Sequence, residues 1–233
     1  MGCATSTSRL GSYEPNENAL RVLPNKQDLF LLANMMDDIL LKSAMEWNQL
    51  CNTHFRITYG FKGKLHVIDI GFAPEDYYHL AGFHYAQGVM SNFRGHGRAL
   101  RLVLDGKITI DRLKMSERYA DRIEPRLLAL CHLGESLRSQ FCLLSFDRSR
   151  YPFATDIKAD YLIASDLDGV YYTFLVGSSN NEHEYKCCSI FRQDSRDYTT
   201  RQTKLAVLKT EKLDVNNGQW TALYVSNHLR EDV

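Results

Sequence analysis

A change of hydrophobic period along the chain constrains its fold more than any other feature. Between Gln27 and Leu50 the apolar residues recur every three or four positions, as on the buried side of one helix. The members of this stripe are Leu29, Leu32, Met36, Ile39, Leu40, Ala44, Trp47 and Leu50. From His54 onward, short runs rich in β-branched and aromatic residues predict strands instead. The chain therefore combines helices with a sheet.

The strand candidates are separated by turn residues throughout the rest of the chain. The first two, residues 54–59 and 65–72, are joined by a Gly-containing loop and predict a hairpin. Six more cover residues 141–146, 159–165, 170–176, 185–191, 204–213 and 219–226. Helices are predicted from residue 73 past His79, over residues 93–104, and over residues 111–137 with an interruption near Pro125. We expect an α+β fold in which N-terminal helices pack on a C-terminal antiparallel β-sheet.

Composition defines the domain organisation and limits the partners. Residues 1–25 are rich in Ser, Asn, Gly and Pro and predict a flexible arm, which leaves residues 26–233 as one domain. The hydrophobic share of 44% suits a globular core, and the six cysteines lack disulfide or metal spacing, which favours reduced thiols. The formal net charge is zero, so any binding of nucleic acid would depend on a local basic patch.

The N-terminus and the apolar runs bear on localisation. No apolar run is long enough to cross a membrane, and the first residues lack the features of a secretory signal. We expect a cytoplasmic protein. Gly2 and Cys3 fit the pattern for myristoylation with adjacent palmitoylation, so membrane contact is expected only if a eukaryotic host lipidates them.

Two polar segments, residues 77–84 and 191–202, concentrate the groups that metal-free cleavage of a phosphodiester requires. One group must take a proton, another must return one, and a cation must hold the charge that builds on phosphorus. His79, His84 and Arg192 are candidates. On one continuous helix the two histidines would point about 140° apart, so a shared site requires the helix to end at Gly82. A core histidine bonded to the backbone is the alternative for His84.

Further polar residues suit an RNA chain. Tyr198, Arg201 and Gln202 are of the types that stack on bases, hold phosphate and bond a base edge. Lys62 and Lys64 lie in the hairpin loop, and Arg94 and Arg98 flank a Gly-rich turn. A solvated surface loop would look the same by composition. Strand alternation places Tyr185, Cys187, Ser189 and Phe191 on one face, and Lys186, Cys188, Ile190 and Arg192 on the other.

Metal and cofactor motifs are missing from the sequence. There is no zinc-binding His-Glu-x-x-His, no paired Cys-x-x-Cys and no carboxylate cluster of the ferrous type. The turn around Gly95 lacks the Gly-Lys-Ser/Thr ending of a phosphate-binding P-loop. We therefore expect neither a metal nor a cofactor.

Three stretches together resemble a family of phage-associated predicted nucleases grouped with barnase, EndoU, the tRNA-cleaving colicins and RelE, and in particular its fourth phage-borne family. The stretches are Tyr78–His84, Lys158–Ile163, and Phe191-Arg192 followed by Tyr198, Gln202 and Val207–Lys209. The resemblance extends from about Asp28 to about Leu213. It implies helices on a four-stranded antiparallel core sheet and metal-independent RNA cleavage, often as a toxin or mobile-element effector. Its polar motif residues are His79, His84, Lys158, Asp160, Arg192, Tyr198 and Gln202.

The leading hypothesis is an endoribonuclease that acts on RNA, with tRNA among the candidate substrates and an immunity or antitoxin protein as a candidate partner. His79 would act as general base or acid, Arg192 would stabilise the transition state, and Tyr198 would position the substrate, with help from Lys158 and Gln202. A silent module that binds RNA or protein through the same surface is one alternative. An NAD-using ADP-ribosyl transferase is another, for which Glu184 and Glu211 are available without the usual motif around them.

Overall fold

The computed structural model describes residues 38–90, 96–178 and 183–229. The predicted arm and the first part of the predicted N-terminal helix lie outside the described residues. Helix α1 spans Ile39–Leu50 and begins where the Asp38 carboxylate accepts hydrogen bonds from the N–H groups of Leu40 and Leu41. Within it the predicted stripe is confirmed, since Leu40, Ala44, Trp47 and Leu50 are all buried.

A series of helical segments, all short except the last, follows the first hairpin. They are a 3₁₀-helix at Pro74–Asp76, α2 at Tyr77–Leu80, a 3₁₀-helix at Phe83–Ala86, α3 at Gln87–Met90, a 3₁₀-helix at His96–Arg98, α4 at Ala99–Leu104, α5 at Ile110–Lys114, a π-helical turn at Tyr119–Ile123 and α6 at Glu124–Arg138. Pro125 lies in the first turn of α6, where its missing N–H costs nothing. The helical stretch predicted over residues 111–137 is interrupted at residues 115–118, before the π-helical turn, rather than at Pro125. Within the described residues, no helix combines the length and apolarity that crossing a membrane requires.

All eight predicted strands are present, with ends close to those expected. They are β1 at Thr53–Phe61, β2 at Lys64–Gly71, β3 at Phe141–Ser145, β4 at Tyr161–Asp166, β5 at Val170–Gly177, β6 at Glu184–Arg192, β7 at Thr203–Asp214 and β8 at Gln219–Val225. The first hairpin turns through Lys62 and Gly63, both with positive φ, which matches the right-handed twist of the two strands.

The predicted arrangement of helices on an antiparallel sheet is wrong, because the strands close into a seven-stranded mixed barrel. The order is β1-β2-β6-β5-β4-β3-β7, and β7 pairs again with β1, with β8 attached to β7 outside the circuit. The β2–β6 pairing is parallel, whereas the other pairings are antiparallel. The sequence located the strands, but the antiparallel contact of β1 with β7 joins segments about 150 residues apart, which local patterns cannot indicate.

A contact between two phenols crosses the barrel. The Tyr59 hydroxyl of β1 lies 2.7 Å from the Tyr161 hydroxyl of β4, although neither strand is a neighbour of the other in the sheet. The main hydrophobic core contains Tyr59 and joins the barrel to the helices. A second, smaller cluster forms around Phe146, Tyr172 and Phe174. Helix α1 packs on α6, and α6 packs on β6.

A β-bulge in β6 changes the predicted faces of this strand. Leu175 pairs with Cys187 but Phe174 pairs with Ser189, so Cys188 is an extra residue without its own partner. The simple alternation predicted for residues 185–192 is therefore wrong beyond Cys187. Cys187 and Ile190 both join the main core, whereas Phe191 joins the second cluster.

Candidate functional site

A groove of about 640 Å³ lies where the helical segments meet β6. Strand β6 pairs with β2 only through Glu184–Lys186, so its later part is left to α2 and α6, which both contact it. We call this groove the basic groove. Its lining residues are His79, Tyr85, Asp121, Arg122, Pro125, Arg126, Ala154, Thr155, Asp156, Ile157, Lys158, Cys188, Ser189, Phe191, Arg192, Asp194, Arg196 and Tyr198. The groove thus brings together four of the predicted site residues from distant parts of the sequence. They are His79, Lys158, Arg192 and Tyr198.

Gly82 brings the two predicted histidines together. Helix α2 ends at Leu80, and Gly82 has φ +77°, a left-handed conformation that favours glycine and turns the chain into the next 3₁₀-helix. The His79 and His84 rings are stacked, with centroids 4.7 Å apart and planes 13° from parallel. His79 is exposed to the groove, and half-buried His84 lies against its ring, outside the groove lining.

Arg126 is the most enclosed cation of the basic groove. Its guanidinium lies 5.5 Å from the Tyr85 ring and 5.9 Å from the Phe191 ring. Its Nη1 donates long hydrogen bonds to the Ser189 hydroxyl at 3.4 Å and to the Ile190 carbonyl at 3.3 Å. Burial lowers the pKa of Arg126, and the interaction with Tyr85 opposes that shift, so the side chain stays charged at neutral pH.

Arg192 is directed elsewhere. Its Nη2 donates to the Asp168 carbonyl at 2.8 Å, and its guanidinium packs against Gly169, where an added Cβ would lie 2.7 Å from Nε. Its charge also lies 5.8 Å from the Tyr171 ring. Arg192 lines the groove, but its cationic group is bound to the loop between β4 and β5.

Tyr198 belongs to the floor of the groove. It is 6% exposed and stacks on Tyr151, with centroids 4.6 Å apart, and it meets the Phe191 ring edge-on at 5.3 Å. The carboxylate of Asp197 fixes this turn, because it accepts hydrogen bonds from the N–H and hydroxyl of Thr199 and from the hydroxyl of Tyr172. These bonds lower the pKa of Asp197.

The other two predicted assistants occupy different positions. Lys158 is an exposed residue of the groove lining, and its carbonyl accepts a hydrogen bond from the Cys188 thiol. Gln202 does not line the groove. Its amide oxygen accepts from the Asp147 N–H at 2.7 Å and its amide nitrogen donates to the Asp147 carbonyl at 3.2 Å, so it fastens the loop after β3 to the start of β7.

The predicted RNA-binding cations are dispersed. Lys62 and Lys64 lie at the exposed tip of the first hairpin, Arg98 ends a 3₁₀-helix, and Arg201 lies exposed in a turn with φ +61°. None of these four lines the basic groove. The fifth, Arg94, lies outside the described residues.

Charges within the groove favour an anion. Five lining residues carry a permanent positive charge, namely Arg122, Arg126, Lys158, Arg192 and Arg196, against three aspartates. Glu184 and Glu211, the acids available for ADP-ribosyl transfer, are not among the lining residues, and Glu211 forms an ion pair with Lys209 at 2.8 Å. No group of three or more metal-binding side chains occurs in the described parts of the chain.

Sequence reasoning missed Arg126 and Tyr85. One local signal could have singled out Arg126: it lies in the first turn of α6, where a cation opposes the helix dipole. A cation in this position does not stabilise its own helix, which makes it worth examining as a candidate for another role. Tyr85 offered no comparable signal, because its contact with Arg126 depends on the turn at Gly82.

Comparison with known proteins agrees with the resemblance seen in the motifs. The family model described as phage-Barnase-EndoU-ColicinE5/D-RelE like nuclease4 matches residues 39–227, which include every residue of the basic groove. No curated protein and no solved structure matches the chain. Because the family model covers most of the sequence, the chain belongs to this family of Barnase-EndoU-Colicin-RelE-like nucleases.

Proposed function

We propose that the basic groove binds and cleaves single-stranded RNA without a metal ion. The observation that carries this proposal is the meeting of an exposed imidazole, His79, with a largely buried guanidinium, Arg126, in one groove of an otherwise neutral chain. Family membership supports nuclease activity. The metal-free reaction on RNA is our inference from the side chains.

The proposed reaction uses the ribose 2′-hydroxyl as the nucleophile. His79 takes its proton, the 2′-oxygen bonds to phosphorus, and the bond to the 5′-oxygen of the next nucleotide breaks. The leaving 5′-oxygen takes a proton from a water molecule in the open groove, His79 returns the proton that it accepted to the resulting hydroxide, and the products are a 2′,3′-cyclic phosphate and a 5′-hydroxyl. Positioned proton transfer of this kind contributes about 10²–10⁴-fold to a rate.

Negative charge builds on the phosphate oxygens during this step, and Arg126 is placed to stabilise it. A guanidinium carries five N–H donors in a fixed plane, more than the two Nη1 bonds to Ser189 and Ile190 use. Its position beside the Tyr85 and Phe191 rings lowers its exposure to water, which strengthens its interaction with an anion. Because Pro125 also lines the groove, the positive end of the α6 dipole faces the same space.

The remaining walls are proposed to hold the substrate. Lys158 contacts the phosphate chain, and the edge of Phe191 over Tyr198 provides an aromatic floor for a base. Gln202 acts through Asp147, by holding the loop beside this floor. The position of Arg192 in the loop contact with Asp168 favours Arg126 as the transition-state cation.

The test is cleavage of RNA by the purified chain in excess EDTA. We expect discrete fragments from tRNA or total RNA, with 2′,3′-cyclic phosphate ends detected by mass spectrometry and no loss of rate after chelation. A requirement for Mg²⁺, or products with 3′-hydroxyl ends, would contradict the proposed chemistry. Intact RNA at every protein concentration would support a silent binding module instead.

A further inference from the structure

A second concave site lies on the barrel, apart from the basic groove. The cleft has a volume of about 540 Å³ and is lined by Tyr59, Leu65, His66, Val67, Tyr161, His183 and Tyr185. We call it the tyrosine cleft. Its side chains come from β1, β2, β4 and β6 and from His183 just before β6, so the assembly of the barrel creates it. Two imidazoles and no acidic residue occur among these lining side chains.

The aromatic rings of the cleft are held in fixed positions. The His66 ring stacks on Tyr59 with centroids 5.1 Å apart and planes 15° from parallel. The Tyr161 ring meets Tyr59 at 5.9 Å and Tyr185 at 5.1 Å, both edge-on. Rings fixed in this way offer π-faces for a planar ligand with little loss of side-chain entropy.

Beside the cleft, the hairpin turn places two lysines in solvent. Lys62 has φ +48°, a conformation that costs a residue with a side chain about 1–2 kcal/mol and that glycine adopts freely. Its ammonium lies 5.2 Å from the Phe61 ring, and Lys64 follows at the start of β2. The turn therefore presents the Lys62 charge to solvent at a position where glycine would be the less strained residue.

The two sites lie along the same two segments. On β6, Tyr185 of the cleft is three residues from Cys188 of the groove. Likewise Tyr161 of the cleft, the first residue of β4, is three residues after Lys158 of the groove. Three extended residues span on the order of 10 Å. An oligonucleotide of about four nucleotides or more is long enough to engage both sites.

From these observations we infer that the tyrosine cleft is a second subsite for single-stranded RNA, which stacks a base against the half-buried His66 ring, itself held by buried Tyr59, while Lys62 and Lys64 hold the adjoining phosphates. This inference rests on the proposed function for its ligand class. It extends that function by assigning a site, away from the reacting phosphate, that would give preference to longer RNA.

Binding without cleavage tests the inference separately from the nuclease proposal. The His79→Ala protein is titrated into a fluorescent single-stranded RNA of about eight nucleotides, within the length that one protein surface covers. We expect His66→Ala in this background to weaken binding roughly fivefold or more, since a stacking ring is lost. Lys62→Gly is expected to weaken binding and to lower its salt dependence by about one phosphate contact.

Lys62→Gly also distinguishes a loss of RNA contact from a loss of affinity caused by misfolding. Glycine relieves the left-handed strain, so the melting temperature should stay the same or rise while RNA affinity falls. Lys107→Ala, which removes one exposed lysine between α4 and α5 and away from the hairpin turn, is the control and should change affinity little.

Photocrosslinking with 5-iodouridine-substituted RNA locates the contact directly. We expect crosslinked peptides that contain Tyr59 or His66, and their loss in His66→Ala. Crosslinks confined to the basic groove, affinities of both variants equal to that of Lys107→Ala, or no RNA binding at all would overturn the inference. Cleavage with no contact at the cleft would leave the nuclease proposal standing, whereas crosslinking at the cleft without any cleavage would contradict that proposal alone.

Discussion

The rings of His79 and His84 stack 4.7 Å apart, although five residues on one continuous helix would direct them to different sides. The left-handed turn at Gly82 explains the contact, because it ends α2 and reverses the chain. The same glycine lies against the stem of Arg126: a Cβ at this position would be 2.9 Å from Arg126 Cδ and 3.1 Å from the Arg122 carbonyl. One small residue therefore sets the positions of both the imidazole and the guanidinium of the groove.

Gly82→Ala should damage both stability and cleavage. The left-handed conformation costs an alanine about 1–2 kcal/mol, and the added methyl group displaces Arg126. Gly106→Ala is the matched control, because Gly106 has φ +68° but open space around its Cβ. We expect both variants to unfold at lower denaturant concentration and only Gly82→Ala to lose activity beyond its loss of stability. Equal activity of the two variants would show that Gly82 does not position the residues used in cleavage.

The two arginines of the groove should differ in their effects. Arg126→Lys keeps the charge but loses the planar donor set, so cleavage should fall by about 10²-fold, in the range seen when one preorganised donor is removed. Arg192→Lys should reduce the rate less than tenfold, since its guanidinium is bound to the Asp168 carbonyl. The measurement is the single-turnover rate at saturating protein. The reverse order of effects would restore Arg192 as the transition-state cation.

Asp197 should make stability depend on acid pH. Hydrogen bonds from Thr199 lower the pKa of its carboxyl below the ordinary 3.8, so the ionised form stabilises the folded state. That contribution is complete above about pH 4 and is lost as the pH falls through the lowered pKa. Asp197→Asn should thus be less stable than the parent at pH 7, and the difference should shrink at lower pH. Asp166→Asn, an exposed aspartate at the end of β4, is the control for both curves of denaturant midpoint against pH.

Trp47→Ala should test the packing of α1. The Trp47 side chain is 1% exposed, and its indole N–H donates to the Ala73 carbonyl at 3.0 Å. Removing it should lower the free energy of unfolding by about 3–5 kcal/mol, as for other large aromatic residues in cores. Met45→Ala on the same helix, where the side chain is 50% exposed, should change it by roughly 0.5 kcal/mol or less. Chemical denaturation measures both, and a near-neutral Trp47→Ala would contradict the core assignment.

Local sequence patterns predicted the elements but not their assembly. The stripe through Leu40 and Trp47 marked α1, and runs rich in β-branched and aromatic residues between turn residues marked the strands, because both signals arise from neighbours in the chain. Closure of the barrel depends on the pairing of β1 with β7. Local patterns do not specify which strand edges pair over such a long sequence separation. The bulge at Cys188 adds one residue to a strand and exchanges its later faces, and composition carries no mark of it.

The candidate site was predictable where a motif carried it. His79, Lys158 and Tyr198 were identified from three separate segments, and the fold places them around one groove. Arg126 was not identified, because its enclosed position between Tyr85 and Phe191 exists only in the folded chain. Gln202 illustrates the opposite case: a polar residue of the motif whose bonds to Asp147 hold a loop in place.

The central claim is that His79 transfers the proton of a ribose 2′-hydroxyl in the basic groove. The most direct measurement uses a DNA oligonucleotide with a single ribonucleotide, under single-turnover conditions in EDTA. The parent and His228→Ala, an exposed histidine near the C-terminal end, should both cleave at that ribonucleotide and leave the all-deoxy strand intact. His79→Ala should bind the strand, but its single-turnover cleavage rate should be lower by about 100-fold or more. Cleavage by His79→Ala at the parent rate, or cutting of the all-deoxy strand, would contradict the account.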